Sequence, residues 1–147
     1  MTARISYLIK WVERGVRSGL DAILPPMGIT TFEYTTLSVL RHRSGLSSAQ
    51  LARRAFVSAQ AMNQIVTSLE RSGWIARTPD PDNGRILRAE LTREGRSFLS
   101  ACDKATAQVE RTLLSRLTAS EAQSLGATLE LCAKALTEAS PRNRADD

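Results

Sequence analysis

The turn at residues 82–85, with the sequence DNGR, is the first place where this chain could do recognition chemistry. Asn83 and Gly84 are residue types that tolerate positive φ, so the pair predicts a tight reversal between two strands. Arg85 follows directly and would project from the hairpin tip. The predicted arms are residues 74–79 and 85–91. Such a hairpin is either a solvated loop or a finger that contacts something negatively charged.

A second set of polar side chains shares one face of residues 58–72, a segment that Ser58 caps as a predicted helix. At about 100° per residue, the apolar side chains cluster on the opposite face. Only Glu70 and Arg71 are ionic in this segment, whereas solvent-facing helices usually carry more Glu and Lys. Amides and hydroxyls can read base edges in the major groove. Together with Ser58, the predicted DNA-reading residues are Gln60, Asn63, Gln64, Thr67 and Ser68.

The excess positive charge of the chain lies in its middle. The 147 residues carry a net charge of +5, and residues 41–96 contain ten arginines and five acidic residues, which accounts for all of it. A basic segment is typical of a face that binds a polyanion, although an arginine-rich solvated surface has the same composition. The candidate phosphate contacts in this segment are Ser47, Arg53, Arg54 and Arg88.

The elements around these residues predict a helix-turn-helix unit with a wing. Capping-box patterns after Thr30 and Ser47 predict a helix to about residue 42 and a short helix over 48–55. The helix over 58–72 follows, and Gly73 is suited to its left-handed end. A short helix joined to a second capped helix forms a helix-turn-helix, and the hairpin directly behind it is a wing. On a basic segment, this order favours DNA binding.

Long amphipathic helices flank this unit on both sides. Residues 3–24 and 93–139 carry apolar side chains at helical spacing, the second range being interrupted by a capping box that begins at Thr118. The predicted fold class is therefore mainly α with a small β-hairpin wing. We predict a single domain over residues 1–140, with a winged helix-turn-helix lobe at 30–91. The polar residues 141–147 are predicted to form a flexible tail.

The residue types do not favour catalysis, a cofactor or a metal. His42 is the only histidine, and the sequence shows no glycine-rich phosphate loop and no nucleophile beside a base. Cys102 and Cys132 lie on apolar helix stripes, where packing is the simpler interpretation and oxidation sensing the sharper one. Two cysteines suit a reducing cytoplasm, and no apolar stretch approaches the length of a membrane span. We therefore expect a cytoplasmic protein that is not an enzyme.

The segment from residue 46 to 99 resembles the core of the MarR (multiple antibiotic resistance regulator) family of winged-helix transcription factors. The resemblance is carried by LA at 51–52, LERSG at 69–73, DNGR at 82–85 and LTREG at 91–95. It implies a homodimer built by the outer helices, with the two recognition helices in successive major grooves of a pseudo-palindromic operator in double-stranded DNA. It also implies that Arg85 is the wing arginine, which enters a minor groove.

Two departures from the family pattern concern the wing and the recognition helix. The family usually has an acidic residue two positions before the wing arginine, where this chain has Asn83. The ion pair that supports the wing is therefore expected from Arg77 to Asp80 or Asp82, if it is present. The family often has an arginine where this chain has Gln64, and the change favours a different, A-rich operator.

The resemblance further implies a pocket for a small aromatic or lipophilic effector. Tyr7, Trp11 and Phe32 are the candidate lining residues, although core or dimer packing would also account for each. The resulting hypothesis is a sequence-specific DNA-binding transcriptional regulator, a repressor released by a small-molecule effector. The alternative is a winged-helix protein-interaction module whose basic face meets an acidic partner and binds no operator.

Overall fold

A computed structural model describes residues 3–140 and confirms the predicted fold class, which is mainly helical with a small antiparallel sheet. The predicted tail at 141–147 lies outside the described residues. The elements in chain order are α1 (Ile5–Ile23), a 3-10 turn (Pro25–Met27), α2 (Thr31–His42), β1 (Leu46–Ser47), α3 (Ser48–Ala55), α4 (Ala59–Arg71), β2 (Ile75–Pro79), β3 (Leu87–Leu91), α5 (Arg93–Leu114) and α6 (Ala119–Glu138).

The starts of the helices follow from local hydrogen bonding. Thr30 Oγ1 accepts from the Glu33 N–H at 3.1 Å, and the Glu33 carboxylate accepts from the Thr30 N–H at 3.0 Å. Reciprocal capping boxes of the same kind begin α3 and α6. Each box satisfies two backbone donors that the first turn of a helix would otherwise leave unpaired. The predicted capping boxes are therefore confirmed.

The sheet contains a strand that the sequence analysis missed. Its order is β1-β3-β2, and β1 pairs antiparallel with β3 so that Leu46 faces Ala89 and Ser47 faces Arg88. Leu46 and the α3 cap residue Ser47 are extended, but two residues are too few to show an alternating pattern. Through β1, the turn before the helix-turn-helix is joined to the wing.

The turn of the wing is wider than predicted. β3 begins at Leu87, and residues 80–86 form a loop in which the Asp80 N–H donates to the Ile86 carbonyl at 2.8 Å. Among the described residues, positive φ occurs at Gly28, Gly45, Gly73 and Phe56. The predicted turn with positive φ at Asn83-Gly84 is therefore wrong: the Ile86 N–H donates to the Asn83 carbonyl at 3.0 Å, so that Gly84 and Arg85 form the turn, and the Asp80 carboxylate organises the rest of the loop by accepting two backbone N–H groups.

The hydrophobic core lies within the winged lobe and against its neighbours α1 and α5. Leu37, Leu40 and Leu51 are almost fully buried together with the inner face of α4, the sheet and Leu99 of α5. Trp74 and Phe98 stack with their ring centroids 4.0 Å apart, which fixes α5 against the start of the wing. In contrast, no side chain within residues 5–23 or 119–138 is buried. The outer helices therefore leave apolar surface exposed.

Gly95 allows the first turn of α5 to lie directly on the Trp74 backbone. A Cβ at this position would stand 1.9 Å from the Trp74 carbonyl oxygen, which also accepts the Thr92 N–H. Because a backbone atom cannot yield as a flexible side chain can, we expect Gly95→Ala to lower the free energy of unfolding by about 3 kcal/mol. Urea unfolding monitored by circular dichroism measures this change.

Gly126→Ala is the matched control for this substitution, because nothing lies within 4 Å of a Cβ built at Gly126 in α6. A helical Gly→Ala change without a steric conflict should raise stability by up to about 1 kcal/mol. Equal effects of the two substitutions would contradict the close approach at Gly95.

Candidate nucleic-acid interface

The polar face of α4 is exposed as its sequence predicts. Met62, Val66 and Leu69 are buried in the core on the inner face. Gln60, Asn63 and Gln64 are exposed, and Thr67 is half-buried beside them. The exposed part of α4 is therefore a row of amide side chains, which can donate to and accept from base edges.

Both predicted DNA-reading serines, Ser58 and Ser68, have partners within the protein. The Ser58 hydroxyl caps α4 by accepting from the Ala61 N–H at 3.0 Å. Ser68 is half-buried, and its hydroxyl donates to the Glu33 carboxylate at 2.7 Å. This placement corrects the predicted face, because Ser68 lies toward α2 and joins the recognition helix to the start of that helix.

The wing presents an exposed arginine. Arg85 is exposed, and its backbone N–H donates to Asn83 Oδ1 at 3.2 Å. Asn83 and Gly84 are also exposed. Since the Asn83 side chain holds the backbone just before the guanidinium, residues 83–85 form one ordered unit at the end of the wing.

Asp80 and Arg88 brace the wing, whereas Arg88 was predicted to contact phosphate. The Arg88 guanidinium pairs with the Asp80 carboxylate and also donates to the Gly45 carbonyl at 2.9 Å. Asp80 Oδ1 accepts from the backbone N–H groups of Asp82 at 2.8 Å and Asn83 at 3.0 Å. We call Asp80, Arg88 and Gly45 the wing clamp. It corrects the predicted role of Arg88 and accounts for Asp80 as wing support.

Arg77 supports the wing through a partner that was not predicted. Its guanidinium donates twice to the Glu70 carboxylate, at 3.0 and 3.2 Å. The partner of Arg77 in these contacts is therefore Glu70 and not the predicted Asp80 or Asp82. The hydrogen bond from Arg77 lowers the pKa of Glu70. Glu70 belongs to the last turn of α4 and Arg77 to β2, so the fork joins the recognition helix directly to the wing.

The remaining phosphate candidates lie on or beside α3. Ser47 is half-buried and caps this helix, accepting from the Gln50 N–H at 3.2 Å. Arg53 is half-buried and Arg54 is exposed. Partial burial, followed by the positive charge of Arg43, lowers the pKa of Arg54. Arg43 and Arg54 thus concentrate positive charge near the end of α3.

A polar network between α2 and α5 was missed by the sequence analysis. Tyr34 donates its hydroxyl to Asp103 Oδ1 at 2.7 Å, and Arg41 forms an ion pair with the other carboxylate oxygen. Partial burial raises the pKa of Asp103, but the hydrogen bonds from Arg41 and Tyr34 outweigh it and hold this pKa below its ordinary value. The partners are more than 60 residues apart, and no local pattern could have indicated them.

The structure divides the three predicted effector-pocket residues into two places. Tyr7 and Trp11, together with Lys10 and Arg14, line an open cavity of about 280 Å³ on the solvent-exposed surface of α1. Phe32 is on α2, where the Arg17 guanidinium lies 5.5 Å from its ring centroid. Within one chain, the three aromatic side chains therefore do not share a single pocket. Helical spacing places Lys10 and Arg14 beside Tyr7 and Trp11, and this signal was available in the sequence.

A larger apolar groove of about 810 Å³ runs between α1 and α5. On the α1 side, Gly15 and Gly19 have no side chains to fill the groove. On the α5 side, Val109 and Leu113 line it. Trp11 lines both this groove and the smaller cavity. The groove and the cavity are thus continuous with the exposed apolar surface of the outer helices.

The two cysteines differ in environment. Cys102 is fully buried, and its burial followed by the charge of Asp103 raises the pKa of the thiol. Cys132 is exposed on α6, although its helix stripe predicted packing. Within residues 3–140, no group of three or more His, Cys, Asp and Glu side chains is placed to hold a metal ion. The helices of the same range include none long and apolar enough to cross a membrane.

Known proteins with similar sequences belong to one family of DNA-binding regulators. Residues 27–86 match the model of the MarR family. The HTH-type transcriptional repressor Rv2887 of Mycobacterium tuberculosis (strain ATCC 25618 / H37Rv) is 37% identical over 128 residues, which cover 87% of this chain and 92% of the relative. The chain belongs to the MarR family. The Multiple antibiotic resistance protein MarR of Escherichia coli (strain K12) is 28% identical over 107 residues, which cover 72% and 74% of the two chains.

Solved structures of MarR-family proteins superimpose on most of the chain. The structure of M. tuberculosis Rv2887 in complex with salicylic acid has a TM-score of 0.70 at 36% identity and covers 89% of this chain and 97% of that one. The same protein in complex with DNA gives a TM-score of 0.69 at 34% identity, with coverage of 89% and 98%. The family is one of transcriptional regulators, and the predicted membership is confirmed.

The wing clamp predicts a component of acid sensitivity. The backbone N–H of Asp82, and then the hydrogen bond from Arg88, hold the pKa of Asp80 below its ordinary value of 3.8. The clamp therefore contributes stability fully above pH 3.8 and loses it as the pH falls through the lowered pKa, because the unfolded chain takes up the proton first. We expect Asp80→Asn to flatten this part of the curve of unfolding free energy against pH.

Asp82→Asn is the matched control, since Asp82 is exposed in the same loop and donates only its backbone N–H to the clamp. Urea unfolding at pH values from about 2 to 6, the range in which carboxylates titrate, compares the two variants with the parent. If Asp82→Asn changed the acid limb as much as Asp80→Asn, the clamp would not be the origin of the effect.

Proposed function

We propose that this chain is a sequence-specific DNA-binding transcriptional repressor that acts as a homodimer and is released by a small aromatic acid. The observation that carries the proposal is the Arg77–Glu70 fork, which holds the amide face of α4 and the arginine-tipped wing as one unit. Membership of a family of transcriptional regulators supports it, as do the DNA complexes of Rv2887 and of a variant of E. coli MarR.

In this proposal α4 reads bases and the wing reads groove shape. Gln60, Asn63 and Gln64 present amides that can pair bidentately with adenine in the major groove. Arg85 enters the adjacent minor groove, where a narrow A·T-rich stretch has enhanced negative potential. Arg53 and Arg54 on α3 are proposed to contact phosphates, which fix the position of the protein on the duplex but carry no sequence information.

The dimer is proposed to form through the outer helices, with the lobe at residues 30–91 and the dimerisation helices at 3–24 and 93–139. Large apolar side chains on α6 are exposed, including Leu131 at 68% and Leu136 at 63%. On α1, Ile5 is 68% exposed. Apolar surface of this extent in a regulator marks an interface. A two-fold dimer places two recognition helices on a pseudo-palindromic operator.

The proposed effector site is the α1 cavity. Tyr7 and Trp11 offer ring faces, and Lys10 and Arg14 offer cations for a carboxylate. This chemistry suits an aromatic acid, and Rv2887 was crystallised with salicylic acid and with p-aminosalicylic acid. The effector is proposed to favour a dimer whose recognition helices no longer match the operator spacing, which requires different affinities for the two dimer states.

We further propose that the protein is cytoplasmic, where chromosomal DNA is accessible, and that it is not an enzyme. The alternative function is a winged-helix interaction module that binds an acidic protein. Salt dependence combined with sequence preference separates the two, because an operator binder loses affinity log-linearly with salt and still prefers its own site.

Arg85→Ala should weaken operator binding by about 1–3 kcal/mol, the range of a good specific contact. It should also reduce the slope of log affinity against log salt by about 2 for the dimer, because each subunit loses one cation. Fluorescence anisotropy with duplex DNA selected from a random pool measures both quantities.

Lys104→Ala is the control for this substitution, because Lys104 is exposed on α5 outside the lobe. Weak binding by the parent protein without preference for the selected site would favour the interaction module. If the parent binds selectively and Arg85→Ala binds equally well, the proposed contact of Arg85 is rejected, but operator binding is not.

Salicylate should release the operator, and Arg14→Gln should raise the salicylate concentration required by about tenfold, since hydrogen bonds to charged groups contribute about 1.5–3 kcal/mol. Lys104→Gln, which removes the same charge elsewhere, should leave the response unchanged. An Arg14→Gln protein that responds like the parent would exclude the α1 cavity as the salicylate site. A parent that never responds would exclude this class of effector.

A further inference from the structure

Phe56 adopts a backbone conformation that its side chain disfavours. Its φ is 54° and its ψ 36°, in the left-handed region, and it is the one residue other than glycine with positive φ within residues 3–140. The Val57 N–H donates to the Ala52 carbonyl at 3.1 Å, and the Phe56 N–H donates to the Arg53 carbonyl at 3.4 Å. These bonds form the helix-ending motif in which glycine normally occupies the left-handed position.

Folding gains little from a phenylalanine at this position. The side chain is 58% exposed, and Phe56 is not among the residues that form the core or pack against it, whereas the next residue, Val57, packs there. A bulky residue at positive φ is an outlier. Such strain is retained at functional sites more often than elsewhere, because the side chain serves a purpose other than stability.

The position of Phe56 places it next to the recognition helix. It lies in the turn of the helix-turn-helix, two residues before Ser58, which caps the recognition helix. The exposed residues that follow are Ala59 and Gln60 at the beginning of that helix. The N-terminal residues of a recognition helix are those that contact base edges in the major groove. Phe56 is therefore an exposed apolar group in the turn that leads into the N-terminal end of α4, beside the residues that are expected to meet the bases.

Few groups of a DNA duplex suit an aromatic side chain in this place. Phosphates and the polar base edges require hydrogen-bond donors or acceptors, which a phenyl ring lacks. The apolar group in the major groove is the 5-methyl of thymine, and phenylalanine is one of the side chains that contact it. The guanidinium groups of Arg43 and Arg54 lie near the same end of α3 and suit the phosphates beside such a base.

We infer that Phe56 is a specificity-determining residue that contacts the 5-methyl group of one thymine in each half-site of the operator. The inference rests on the proposed function, since it requires operator binding, and it adds a base contact from outside the amide face of α4. The strained turn is retained because this contact selects thymine.

The test uses the full chain and an operator selected from random duplex DNA by the parent protein. Each thymine of the operator is replaced in turn by deoxyuridine, which removes only the methyl group, symmetrically in both half-sites. For the parent, one thymine position should stand out, with an affinity loss of about fourfold per methyl group. Phe56→Gly should bind the unmodified operator more weakly by at least this factor and should be indifferent to deoxyuridine at that position.

Two further variants separate the contact from a structural role. Phe56→Asn tolerates the left-handed conformation but has no apolar ring, so it should behave like Phe56→Gly. Phe56→Leu keeps an apolar side chain and should retain part of the preference for thymine. The melting temperatures of the Gly and Asn variants should equal that of the parent or exceed it by about 2–4 °C, because strain is relieved.

Three outcomes would overturn the inference. The first is a Phe56→Gly protein that binds the operator as tightly as the parent, and the second is the same deoxyuridine profile for both proteins. The third is a loss of DNA binding that accompanies a lower melting temperature in both Gly and Asn variants, which would assign Phe56 to folding. A parent protein without any preferred operator would instead reject the proposed function, and this result is obtained before any variant is made.

Discussion

The ion pair between Asp80 and Arg88 is the interaction on which the arrangement of the wing depends. Asp80 organises the wing loop through two backbone N–H groups, and Arg88 carries the connection to the Gly45 carbonyl in the turn before α3. The Gly45 N–H in turn donates to the Ala89 carbonyl of β3 at 3.0 Å. One buried carboxylate therefore determines both the shape of the wing and its position relative to the helix-turn-helix.

A second connection makes the lobe behave as one body. The fork from Arg77 to Glu70 joins β2 to the last turn of α4, and the hydrogen bond from Ser68 to Glu33 joins α4 to the beginning of α2. The α2–α5 network around Asp103 continues this path to the outer helices. A movement of the outer helices would thus reach the recognition helix and the wing together, which is what a regulator that releases DNA requires.

The sequence predicted features that are determined by neighbouring residues. The caps at Thr30 and Ser58 and the left-handed Gly73 follow from short-range hydrogen bonding and sterics, and all three are present. The pairing of Arg88 with Asp80 depends on strand register and was not predicted. In the sequence, a polar residue that alternates with apolar ones is equally consistent with a side chain exposed to solvent. Phe56 was missed because no propensity places an aromatic residue in a left-handed turn.

We infer that the wing clamp acts on DNA binding by positioning Arg85. A double-mutant cycle in operator affinity, with Arg88→Met, Arg85→Ala and the combined variant, tests it most directly. We expect Arg88→Met to weaken binding in the parent background and to have almost no further effect once Arg85 is alanine. Two losses that simply add would show instead that Arg88 contributes to DNA binding independently of Arg85, and the wing clamp would not act by positioning that arginine.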